Sequence, residues 1–192
     1  MPNRNSIFGA RLVGHLYGSP YSARVRSYIV PASDGTALYF GDFVKLTGTG
    51  ATNKVGQTYP TITAADADEV LLGVIVGFTP NSDDLNQIYR KADTERTVFV
   101  CDDPNAIFEI QTNGIGQVTD FGANADIILG IPSIEFGTSG TQLDQSTVTS
   151  TSAQLRILGI SQRIDNEIGS ANAYVKFLCM INEHIFKQTT GI

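Results

Sequence analysis

Two adjacent carboxylates, Asp102 and Asp103, are followed by Pro104 and Asn105 in the middle of residues 98–111, V-F-V-C-D-D-P-N-A-I-F-E-I-Q. A carboxylate pair can divide general acid and base work when both groups converge on one substrate. Neighbours on an extended chain point to opposite faces instead. Asp and Asn bond their own backbone and Pro fixes φ, so these four residues are better suited to a turn. The stretch therefore reads as a β-hairpin. Ala106, Phe108 and Ile110 face one way, and Glu109 and Gln111 the other.

Other candidates for chemistry are sparse. His15 and His184 are the two histidines, and neither stands in an H-x-x-H or H-E-x-x-H spacing that would bind a metal. A G-x-S-x-G elbow for serine hydrolysis does not occur. Asp66, Asp68 and Glu69 cluster without the glycine and spacing of a calcium loop, and read as a solvated acidic loop. Asp120-Phe121-Gly122 lacks the accompanying motifs of a kinase. Gly48-Thr49-Gly50 and Gly114-Ile115-Gly116 lack the third glycine of a dinucleotide loop. Catalysis would require Asp102, Asp103, Glu183 and His184 to meet in space. The expectation is a protein with no catalytic residues, no cofactor and no metal.

The elements that would position these residues are short. The chain has 192 residues, 42% of them hydrophobic and 17% charged, which fits one core with a polar, low-charge surface. No apolar run reaches the roughly 20 residues needed to span a bilayer. The N-terminus lacks the apolar stretch of a secretory signal, so synthesis in a cytoplasm is expected. Cys101 and Cys179 lie in apolar surroundings and read as buried free thiols rather than a bridge.

Net charge is −6, against a general nucleic-acid binder. The first 33 residues nevertheless hold Arg4, Arg11, Arg24 and Arg26 and no acid, so the remainder is strongly acidic. Closely spaced glycines and prolines make residues 1–33 an extended N-terminal arm, and residues 34–192 a single β-rich body. Phe8, Tyr17 and Tyr21 are among many arm residues too apolar for free solvation. They must pack on the body or on a partner. The arginines are expected to face acidic groups of a protein partner. Deleting residues 1–26 should then abolish binding and leave the body folded.

Along the body, residues 36–46 read as strand, tight turn at Gly41-Asp42, strand. Residues 47–59 and 62–69 read as polar loops. Residues 70–78, V-L-L-G-V-I-V-G-F, read as a buried strand. A further strand is expected near Ile88-Tyr89-Arg90, a helical turn near Thr119 or Asp120, a long surface loop over 137–152, and two strands over 154–161 and 173–181. About eight short strands and frequent turns indicate an all-β fold, either a β-barrel or a jelly-roll-like sandwich.

Several segments together carry a resemblance. Gly41-Asp42-Phe43-Val44-Lys45-Leu46, residues 70–78 leading into Thr79-Pro80-Asn81, Gln87-Ile88-Tyr89-Arg90 through 98–111, and Ile181-Asn182-Glu183-His184 resemble the head decoration, or cement, proteins of tailed bacteriophages. The likeness runs from about Asp34 to His184. It implies a structural protein on the outside of an icosahedral shell, bound to the major capsid protein and acting as a homo-oligomer, a dimer or trimer. Neither nucleic acid nor membrane is an expected partner. A tail or neck component is the structural alternative. A carbohydrate-binding β-sandwich is disfavoured because the chain has no tryptophan for a stacking platform.

Overall fold

The computed structural model describes residues 3–18, 25–169 and 172–192, and these are nearly all β. In chain order the strands are β1 (Arg11–His15), β2 (Arg26–Val30), β3 (Phe43–Thr52), β4 (Thr58–Ala64), β5 (Gly73–Phe78) and β6 (Arg96–Cys101). They continue as β7 (Ala106–Gln111), β8 (Asn124–Ala125), β9 (Ile127–Ile128), β10 (Gln142–Leu143), β11 (Leu155–Ile160) and β12 (Lys176–Ile181). Helical structure among the described residues is limited to three short 3₁₀ turns, one of them at Val118–Asp120 as the sequence predicts.

Both expected all-β forms are present in part. Strands β2-β4-β3-β5-β6 close a barrel, and β1-β7-β12-β11-β8 form a sheet, with β9 and β10 paired separately. Packing of the sheet on the barrel gives a sandwich-like arrangement. The period-2 alternation of side chains assigns the layers. Val44, Ile75 and Val100 point into the barrel with Tyr28, Val30, Ile62 and Val98. Their neighbours Phe43, Val74 and Cys101 point out of it, into a second core shared with Phe108, Ile110, Phe177 and Cys179 of the sheet. A strand with apolar cover on both faces needs no polar alternation. That is why residues 70–78 are continuously apolar.

The same burial overturns the hairpin expected over 98–111. β6 pairs with β2 and β5, whereas β7 pairs with β1 and β12. The turn is real, since Asp103 accepts the Asn105 amide at 2.9 Å and the Ala106 amide bonds the Asp103 carbonyl at 3.1 Å. It carries the chain from barrel to sheet instead of folding it back. Glu109 and Gln111, expected on a solvent face, are buried.

Residues 47–59 are another correction, because β3 and β4 form a hairpin there around a turn at 53–57. Both faces are largely exposed, so no apolar period marks it. Threonines hold it instead: Thr52 and Thr58 hydroxyls meet at 2.8 Å, and Thr49 and Thr61 at 2.7 Å. Near residues 88–90 only a single bridge from Arg90 to Leu38 forms. Residues 137–152, read as surface loop, contain β10 and bury Ser139, Thr141 and Leu143.

The division expected between residues 33 and 34 does not separate an arm from a body. Residues 3–10 belong to no strand or helix, but β1 joins β7 in the sheet and β2 joins β4 and β6 to close the barrel. The apolar residues of this segment supply the reason: Tyr28, Ile29 and Val30 are buried, and Ala10 packs into the core shared with the sheet. Deleting residues 1–26 would therefore remove a strand from the sheet and the start of another from the barrel.

Candidate functional site

The turn at 102–105 is where the two layers meet, and charged side chains collect around it. Asp102 accepts the Tyr28 hydroxyl at 2.7 Å and lies 3.4 Å from the Arg26 guanidinium. Asp103 lies 3.2 Å from His15 Nε2. From the C-terminal side Lys187 donates to the Pro104 carbonyl at 2.9 Å. His184 is fully buried and accepts the Phe186 amide on Nδ1 at 3.1 Å. Burial, reinforced by Lys187, lowers its pKa to about 4 against the pull of Asp103, so the imidazole is neutral at pH 7. Burial and the bond to Asp102 push the Tyr28 phenol well above the usual tyrosine range.

Two of the four residues on which catalysis would depend, Asp102 and Asp103, thus sit beside the His184 environment. Glu183 turns elsewhere and accepts from Ser152. What the arrangement does chemically is satisfy buried polar groups at a crossing: each carboxylate of the turn has a hydroxyl, guanidinium or imidazole partner drawn from a distant strand. Among the described residues no group of three or more His, Cys, Asp or Glu could hold a metal ion. Cys101 and Cys179 are buried as thiols and do not form a disulfide, as the sequence indicates.

The arginines expected to face a partner lie closer to home. Arg11 pairs with buried Glu109 and covers the Phe8 ring at 5.3 Å. Arg26 pairs with Asp102 and covers Phe186 at 5.7 Å. A buried carboxylate without a cation is costly, so carboxylates of the same chain capture these arginines. Arg4 is exposed, and its carbonyl accepts from Lys176. Tyr17 is 74% exposed. Arg24 and Tyr21 lie outside the described residues.

Three surface features stand out. β1 is the outer strand of its sheet; Val13 stands exposed on it, and Leu16 and Tyr17 on the turn that follows. A tip at residues 131–137 displays Ile131, Ile134 and Phe136. An apolar groove of about 550 Å³ runs between Tyr28, Leu46, Tyr59, Pro60 and Phe186, with Arg26 also lining it, and a second hollow of about 380 Å³ continues past Phe186 to Ile192. The sequence points to Tyr17 among the arm residues, and a local signal exists for the tip in the isolated apolar residues of G-I-P-S-I-E-F-G. The groove draws on four separate segments. No protein-family model, curated protein or solved structure matches the chain.

Proposed function

We propose that this protein decorates and cements the outside of an icosahedral phage capsid by binding major capsid protein subunits. The observation that supports this reading is the outer edge at β1, where Val13 is exposed on the strand beside Arg11 and Leu16 and Tyr17 are exposed on the turn that follows, with Arg4 exposed on the segment before it. Exposed apolar side chains on a sheet edge suit attachment to another protein surface. A break in register between Leu12 and Gly14 interrupts the edge ladder, so side chains rather than a long added strand make the contact. Many such contacts repeated on one lattice add through multivalency, and none needs to be strong alone.

Undecorated shells incubated with the purified protein test the reading. Wild type should saturate the shell, and the combined variant Val13→Lys, Leu16→Lys, Tyr17→Ser should leave it bare while keeping its circular dichroism spectrum. Equal occupancy by the two proteins would refute the β1 contact. Fractionated particles separate the tail or neck alternative, because a decoration protein accumulates in many copies on tailless heads.

A further inference from the structure

The exposed tip at 131–137 and the apolar groove on the barrel are complementary in shape class and in charge. The tip is rigid. Ser133 and Thr138 exchange two backbone hydrogen bonds, at 2.9 and 3.2 Å, and the Phe136 amide leans on the Ser133 hydroxyl. Its base is tied to the body, since Phe40 donates to the Gly137 carbonyl at 2.9 Å and accepts from Ser139 at 2.8 Å. Gly137 takes a positive φ of 64°, and a side chain there would collide with Ile88. Ordering this segment is therefore complete before it meets anything, which removes a main cost of binding.

What the tip displays is apolar with one acid in the middle. Ile131 is 91% and Phe136 70% exposed, with Ile134 between them and exposed Glu135 adjoining Phe136. Side chains this apolar, held out in solvent on a rigid turn, mark an interaction surface. The groove is the converse: aromatic and aliphatic walls with one base. Arg26 touches Asp102 at 3.4 Å, yet its side chain remains 69% exposed, and a guanidinium has five donors to share. The tip does not occupy the groove of its own chain, because its apolar side chains stand in solvent.

We infer that the tip of one copy inserts into the groove of a second copy of this chain, with Phe136 against Phe186 and Tyr59 and Glu135 paired with Arg26. Both halves of the contact exist on every molecule, and the acid of the tip is opposite in charge to the base of the groove. Such a contact links copies head to tail into a ring, or closes reciprocally as a dimer. It engages a different surface from the β1 edge and does not depend on shell binding.

Sedimentation velocity of the full-length chain over a concentration series tests this. Wild type should self-associate. Phe136→Ser, a change on an exposed tip, should yield monomers that keep the wild-type unfolding midpoint. Glu135→Arg sets two cations face to face and should weaken association at least about tenfold. Arg26→Glu should do the same, and the double exchange Glu135→Arg with Arg26→Glu should restore it. If Arg26→Glu misfolds, the Phe136 and Glu135 variants still decide. A wild-type monomer at every concentration would overturn the proposal, as would association that ignores both tip variants. Loss of shell binding by Phe136→Ser in a chain monomeric throughout would assign the tip to another partner and overturn it equally.

Discussion

His184 and Asp42 give the protein opposing responses to acid. The unfolded imidazole takes up a proton near pH 6.5, whereas the buried one holds off until about 4. Stability from His184 is thus complete above pH 6.5 and falls as the pH drops towards 4, by about 3 kcal/mol across that window. Asp42 works the other way, because burial raises its carboxyl to about 6 from 3.8 in the open chain. Its contribution is complete below pH 3.8 and fades as the pH rises through 6. Replacing His184 with Asn, whose side-chain oxygen can still accept the Phe186 amide, should leave Asp42 unopposed. Urea midpoints of His184→Asn are then expected to increase from pH 6.5 to 4.5, where the wild type changes little or declines. At this scale the sequence was partly transparent. Turn chemistry at Asp102-Asp103 follows from local rules, but their partners Tyr28 and His15 come from far back in the chain, and nothing local encodes such pairings.

Among the elements, the contact between β5 and β6 is the least forgiving. A Cβ built on Gly73 would stand 2.1 Å from the Cys101 carbonyl oxygen, so Gly73→Ala forces backbone apart at the barrel seam. A loss of at least about 1–3 kcal/mol is expected, read as a lower urea midpoint. Gly14→Ala is the control, since nothing lies within 4 Å of the added methyl group; its midpoint should stay near the wild-type value. Strands buried on both faces, such as β5, announce themselves through composition, and β11 with β12 through proximity in sequence. The hairpin of β3 and β4 was hidden because exposed threonines carry no period. The false hairpin at 98–111 had the opposite fault: two good strands and a good turn do not specify which neighbours the strands choose.

For the whole molecule, the chain passes from sheet to barrel after β1 and back again after β6, so neither layer is an independent unit. Heat or urea should unfold both together. Tyrosine fluorescence, to which Tyr28 and Tyr59 contribute from barrel strands, and far-ultraviolet dichroism should give coincident transitions; separated midpoints would show that the layers unfold apart. An all-β architecture was readable from strand spacing. Its division into arm and body was not, because glycines and prolines in the first 33 residues mark bends without saying what lies between them. The C-terminal segment adds one more consequence. Leu71 bridges to His184, and Ile185 packs against the barrel core, although every barrel strand is complete by Cys101. A ribosome that has translated the whole barrel has therefore not yet supplied its last packing residue. Packing of the barrel must wait for this later segment, and nascent chains stalled before His184 should remain sensitive to protease where chains extended past Lys187 are not.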